Sequence, residues 1–249
     1  MIGKLRAWAA RRREWRRLWR KRKRKYERWL AEHPGGSYAQ FYVEETRRRL
    51  AAGTMIHTNI GLDVDTVRMQ ARARRILAGF ERAGCQPHHV VVDYGCGSLW
   101  VGEAFMNYLE PGNYVGLDVV DDFYAEGLTR FPADFVAERR PMLRAISDET
   151  LREVRDRKPD FILSTGVLMH VPPEDLTGYF ARITAIALPQ TRIQIGHRVA
   201  LLGGWQPPRF WRHSRFAIRS ALASLGYVAK YAPKDRVVPD MPGFALMRR

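Results

Sequence analysis

The chain of 249 residues carries 42 Lys and Arg against 26 Asp and Glu, a formal charge of +16, with 46% hydrophobic residues. That is enough apolar material for one sizeable core, and seven Trp, ten Tyr and eleven Phe exclude a chain disordered throughout. Two cysteines, Cys85 and Cys96, are too few for a disulfide framework and suit a reducing compartment; no run of about 18 apolar residues is present to span a bilayer.

The excess charge sits at the start. Residues 1–30 hold 14 Lys and Arg and two acids, Glu14 and Glu27, so +12 lies there and residues 31–249 carry only +4. Trp8, Trp15, Trp19, Tyr26 and Trp29 recur at the helical period with no Pro or Gly between Lys4 and Glu32, which predicts one amphipathic helix over 1–33, ended by Pro34-Gly35-Gly36. A basic helix with a Trp face suits an anionic membrane surface. That reading is preferred to packing on its own domain or a second subunit, and nucleic acid is the least favoured partner. The expected location is cytoplasmic, at the inner face of the cytoplasmic membrane.

A helical extension follows over 37–84, with a helix from Ser37 to Leu50, a polar loop Gly53 to Gly61, and a basic helix from Asp65 or Thr66 to Ala83, closed by Gly84. From residue 85 to 249 strands and helices alternate. Strands are expected at Val90–Asp93, Tyr114–Val119, Met142–Ile146, Asp160–Thr165 and Arg192–Gly196. Helices are expected from Trp100 to Leu109, Asp122 to Thr129, Ser147 or Asp148 to Arg157, and Pro172 to Ala187. After a helix over Ser214–Leu225, the strands Tyr227–Tyr231 and Phe244–Met247 have no room for a helix between them and should pair antiparallel. The fold class is α/β: a Rossmann-like, seven-stranded, mostly parallel sheet with an antiparallel last strand, preceded by N-terminal helices.

Between the first strand and its helix lies Asp93-Tyr94-Gly95-Cys96-Gly97-Ser98, a glycine pair of the kind that lets backbone approach a ligand. Asp118, at the tip of the second strand, is placed to accept from both ribose hydroxyls of a nucleoside. A dinucleotide fingerprint would need Gly or Ala where Trp100 stands, and no Walker lysine follows, so NAD, FAD and P-loop chemistry are disfavoured.

From about Val90 to Arg249 the chain resembles the class I S-adenosylmethionine-dependent methyltransferases. The resemblance rests on V-V-D-Y-G-C-G-S-L, Y-V-G-L-D-V and D-F-I-L-S-T-G-V-L-M-H-V-P-P-E-D-L, in the family's order. It implies S-adenosylmethionine as cofactor, held by Asp93, Tyr94, Gly95, Cys96 and Gly97, with Asp118 and Val119 at the ribose. It further implies Ser147 and Asp148 at the adenine, and Ser164, Thr165 and Gly166 at the methionine end. The chain departs from the family in having Leu99 near where many members have a third glycine, and Leu188-Pro189-Gln190 in place of Pro-Gly-Gly.

For base or substrate contact the candidates are His170, then His197 and His57; each is also explained by a satisfied structural group. The aromatic loop Trp205 to His213 reads as a substrate wall or as a companion of the arm at a membrane. Cys96 reads as a buried filler, and no metal-ligand spacing appears. The expected activity is methyl transfer to an O or N of a small-molecule, lipid or glycan acceptor at a membrane surface. The alternatives are an RNA methyltransferase, weakened by Ser-Thr-Gly-Val after the fourth strand, or a non-catalytic module recruited by its arm.

Overall fold

The computed structural model describes residues 17–18, 20–52, 66–197, 199, 204–206, 210–231 and 243–249, with backbone alone at 204–206 and 210. Helix α1 (20–32) is followed by α2 (Tyr38–Ala51) and α3 (Thr66–Arg82). The alternating body is β1 (Val91–Tyr94), α4 (Trp100–Tyr108), β2 (Tyr114–Asp118), α5 (Asp121–Leu128), α6 (Ala133–Arg139), β3 (Met142–Ala145), α7 (Asp148–Asp156), β4 (Phe161–Thr165), α8 (Leu176–Ala185) and β5 (Arg192–Gly196). It closes with β6 (Gly204–Gln206), β7 (Phe210–Arg212), α9 (Arg215–Ala223), β8 (Tyr227–Tyr231) and β9 (Gly243–Arg248).

Seven strands form one sheet in the order β3-β2-β1-β4-β5-β9-β8, with β1 to β5 parallel and β9 antiparallel to both β5 and β8. β1, β2 and β4 are buried along almost their whole length, as near-continuous apolar runs such as Val90-Val91-Val92 require. One face is covered by α7, α8 and α9, whose Leu151, Phe180 and Leu222 meet Val92, Ile162 and Ile193; the other is covered by α3 and α4 through Ile76, Phe80 and Phe105.

Phe180 has no exposed surface and lies against Phe244, with ring centroids 6.3 Å apart. Phe180→Ala is expected to cost about 3–5 kcal/mol through lost burial and an unfilled cavity, measured by urea unfolding.

Two elements were not expected. The connection after α5 contains the extra helix α6, and the aromatic loop folds into a β6–β7 hairpin with Trp205 opposite Trp211. Helix caps, by contrast, lie where hydroxyls precede apolar periodicity. Ser37 and Gln40 form a reciprocal capping box on α2, and Ser147 and Ser214 accept from the N–H groups of Thr150 and Ala217.

The N-terminal helices form a roof at one end of the sheet. Over the described part of α1 the aromatic stripe is occupied by α2: Tyr26 lies 5.1 Å from the rings of both Tyr38 and Phe41. Trp29 lies 5.8 Å from Phe41, and its indole N–H donates to Glu44 at 2.6 Å. This corrects the expectation that Tyr26 and Trp29 face a membrane; Trp8, Trp15 and Trp19 lie outside the described residues. Burying the rings on a neighbouring helix removes apolar surface from water without needing a second phase. What α1 leaves exposed is mostly cationic, with Arg20, Lys21, Lys23, Arg24 and Arg28 beside Glu27 and Glu32, and Lys23 pairs with Glu27. Among the described residues no helix is long and apolar enough to cross a membrane. The roof is tied to the body where Arg47 pairs with Asp121 and Asp122 of α5, and where Tyr42, Val43 and Leu50 pack on Val120 and Phe123.

Candidate active site

Strand order reverses between β1 and β4, because β1 continues outward to β2 while the chain later returns to β1's other side as β4. Such a switch point splays the two following loops apart and opens a crevice beyond the strand ends. The loop after β1 turns back over β2: the N–H groups of Gly95 and Cys96 donate to Leu117 O at 2.6 and 3.0 Å. Gly95 and Gly97 sit at φ +88° and +51°, in the left-handed region. At Gly95 a Cβ would strike the Val167 side chain, whereas at Gly97 it would meet nothing within 4 Å. Leu99, two residues on, is itself left-handed at φ +63° and fully buried, so the loop ends on strained backbone.

Asp118 closes this loop from the tip of β2. Its Oδ2 accepts from Gly97 N at 2.9 Å and its Oδ1 from Val120 N at 3.1 Å. Burial pushes its carboxyl up to about 6, against the pull of those N–H groups. Asp93, at the end of β1, is raised to about 7 by burial, although the Tyr114 hydroxyl donates to it at 3.1 Å. Both carboxylates are therefore poised near neutrality at the floor of the crevice.

The crevice continues under the roof as one cavity of about 1130 Å³. Its floor is the loop from Asp93 to Trp100 with Asp118 and Val119; one wall is Thr165 to Pro172, and the roof is built from α1, α2 and α3. Ten expected residues line it: Asp93, Tyr94, Gly95, Cys96, Gly97, Asp118, Val119, Thr165, Gly166 and His170. Cys96 is a buried thiol pushed well up by burial, so it fills space and is no nucleophile.

Four others do not line it. Ser147 caps α7 with its hydroxyl, Asp148 is exposed on that helix, and Ile146 is the residue that reaches the cavity. Ser164 is fully buried, donating to Tyr94 O at 2.7 Å and accepting from the Tyr179 hydroxyl at 2.8 Å, so it ties β4 to β1 instead of facing the cavity. His197 lies beyond β5, one strand further from the switch point; burial lowers it to about 4, and its ring sits 5.3 Å from that of His213. His57 lies outside the described residues.

His170 belongs to a short 3-10 turn, Leu168–His170, with its ring 5.8 Å from that of Tyr42 on α2. Tyr42 was missed by sequence reading, since on an amphipathic helix it reads as one more apolar position. It lines the cavity, and burial together with the nearby Asp118 charge pushes its phenol up to about 12. His213 was also missed as a supporting residue. Only 1% exposed, it donates from Nε2 to the carbonyls of both Leu168 and Val171, at 3.1 and 3.0 Å, and so braces the turn that carries His170. His213→Leu leaves those two carbonyls without their donor and is expected to cost about 1–3 kcal/mol in chemical denaturation. His213→Gln, which keeps an N–H at similar reach, should recover most of that loss.

No protein-family model matches the sequence, and no curated protein matches it. The fold, however, is well represented among solved structures. TnmH superposes over 92% of this chain and 69% of its own with a TM-score of 0.58 at 16% identity. The mitomycin 7-O-methyltransferase MmcR does so over 87% and 62%, with a TM-score of 0.54 at 15% identity. Magnesium protoporphyrin IX methyltransferase from Synechocystis PCC 6803, solved with bound S-adenosylmethionine, matches over 90% and 91% with a TM-score of 0.52 at 15% identity. At such identities the likeness is one of fold, and the chain shares the α/β fold of these proteins.

Proposed function

We propose that this chain, folded as the class I S-adenosylmethionine-dependent methyltransferases are, binds S-adenosylmethionine in the β1–β2 crevice and moves its methyl group to an O or N of a small molecule. The observation that carries this reading is Asp118. A buried carboxylate at the tip of β2, anchored to the glycine loop through Gly97 N and facing the cavity, is suited to a ribose diol. The residues fit the cofactor on other grounds too: Gly97 leaves open space where a side chain would stand, and the cavity has room for a nucleoside and an acceptor together.

The bound cofactor would supply an electrophilic methyl group, so the protein's task is alignment and exclusion of water. Asp118 accepts from the ribose hydroxyls, and Ile146 with Val119 gives the base an apolar wall. Thr165 and Gly166 pass the methionine end. The helices α2 and α3 act as a lid, with Tyr42 and His170 facing each other across the cavity. His170 is placed to orient the acceptor or to take its proton.

Calorimetry with S-adenosylhomocysteine tests cofactor binding; absence of heat would favour the non-catalytic reading. A labelled-methyl assay against metabolite, lipid, glycan and RNA fractions then identifies the acceptor, and label confined to RNA would replace the small-molecule reading. Association of the arm with an anionic membrane rests on the exposed cations of α1 alone. Flotation with anionic liposomes checks it, and equal binding by a chain lacking residues 1–30 would rule it out.

A further inference from the structure

The far end of the glycine loop is held by a side chain from outside the site. The peptide that joins Ser98 to Leu99 is fixed on both of its polar groups: Leu99 N donates to Cys96 O at 3.0 Å, and Ser98 O accepts from Nη2 of Arg130 at 2.5 Å. Arg130 lies just past the end of α5 and does not itself line the cavity. Its guanidinium also stacks over the Trp100 ring, 3.8 Å from the centroid, so one side chain touches both residues that flank Leu99. Gly127 lets α5 come this near. A Cβ there would stand 2.5 Å from Ser98 O and 2.6 Å from its carbonyl carbon.

The position is costly for an arginine. Arg130 is half-buried, forms no ion pair among the described residues, and has its Nε buried with no partner among them. Burial draws its pKa below the ordinary arginine value, with Glu103 opposing. A cation withdrawn from water without a paired anion destabilises the fold unless it secures something else.

What it secures is a backbone conformation. Leu99 is left-handed at φ +63° with no exposed surface, and turning the Ser98–Leu99 peptide over would return its φ to the ordinary negative range and relieve the strain. The turned peptide would lose the hydrogen bonds to Cys96 and Arg130. Those bonds oppose the relaxation, and the one from Arg130 comes from outside the loop. The effect reaches the site because Gly97, Ser98, Trp100 and Val101, on either side of Leu99, all line the cavity.

We infer that Arg130 is a positioning residue for the cofactor site: through Ser98 O and the Trp100 ring it keeps Leu99 left-handed, and so sets the loop and the first turn of α4 in the form that receives S-adenosylmethionine. The ligand is taken from the methyltransferase reading above, whereas the hold on the loop belongs to the free protein and is tested without it.

Amide hydrogen exchange is measured on the free full chain, and S-adenosylhomocysteine binding by calorimetry, for wild type, Arg130→Met and Arg130→Lys. Methionine keeps an apolar cover over Trp100 and removes the donor to Ser98 O; lysine keeps a cationic donor of similar reach. Arg130→Met is expected to speed exchange over residues 97–102 about tenfold while β4 and β5 exchange as in the wild type. It should weaken S-adenosylhomocysteine about tenfold, and Arg130→Lys should stay within about threefold of the wild type in both measurements. The inference is overturned if Arg130→Met leaves exchange over 97–102 unchanged, or if it speeds β4 and β5 equally, which is general destabilisation. It is overturned as well if the loop loosens with no loss of affinity, or if Arg130→Lys is no better than Arg130→Met. A wild-type chain that gives no heat with S-adenosylhomocysteine would remove the methyltransferase reading and Arg130's role toward the cofactor with it, and the exchange result would still decide whether Arg130 holds the loop.

Discussion

Asp118→Ala is expected to weaken S-adenosylhomocysteine binding by about 3 kcal/mol, roughly 100-fold in Kd, since two hydrogen bonds from a ribose diol to a buried carboxylate are lost together. The same substitution removes the acceptor for Gly97 N and Val120 N, so the loop is also less well held. A pH series separates the two effects. In the free protein the Asp118 carboxyl is raised to about 6, and the ribose hydroxyls favour its ionised form because only that form accepts with both oxygens. Affinity should therefore be level at high pH and fall as pH drops through about 6, by about tenfold per unit once the group is mostly protonated. Asp118→Asn should bind weakly with that component of the pH dependence gone. A wild-type affinity that stays flat between about pH 5 and pH 8 would remove Asp118 from the ribose site.

The two glycines of the loop should fail in different ways. At Gly95 an added Cβ meets Val167 on the neighbouring loop, and the backbone is left-handed. Strain and overpacking together should cost about 3 kcal/mol of stability in Gly95→Ala, visible as a lowered unfolding midpoint. At Gly97 nothing protein-derived stands in the way, so Gly97→Ala should lose only about 1 kcal/mol of stability from its φ of +51°. Its methyl group would stand in the space assigned to the cofactor, so binding of S-adenosylhomocysteine should fall far more than stability does. If Gly97→Ala binds normally, the open space beside that residue is not where the cofactor lies.

Much of the body was legible because its signals are local. Short apolar runs such as Val90 to Val92 and Phe161 to Leu163, bounded by turn residues, read as buried strands, and serines before apolar periodicity mark α2, α7 and α9. The segment between the last two strands is too short for a crossover helix, which predicts them antiparallel, as β8 and β9 are. The glycine loop and Asp118 were likewise legible, because left-handed backbone and a strand-tip carboxylate are demands on single residue types.

Ser164 and Ser147 show where that reasoning stopped. Both follow or end a strand at the expected place, yet one hydroxyl is consumed by Tyr94 O and Tyr179 and the other by the cap of α7. Which way a hydroxyl turns depends on partners far along the chain. His213 and Tyr42 are the converse: nothing local marks them, and they matter because a hairpin and a roof helix bring them to the turn carrying His170.

The N-terminal charge divides in the same way. By itself the sequence determined that +12 lies in residues 1–30, where aromatic residues recur at the helical period, and that a nearly balanced α/β body follows, since periodicity and composition are properties of adjacent residues. Only the tertiary structure decided that Tyr26 and Trp29 bury their rings on α2, and that Arg22, Arg49 and Arg72 from three separate helices converge over one cavity. An apolar stripe says that a face must be covered. What covers it is fixed by the rest of the chain, through contacts between residues distant in sequence.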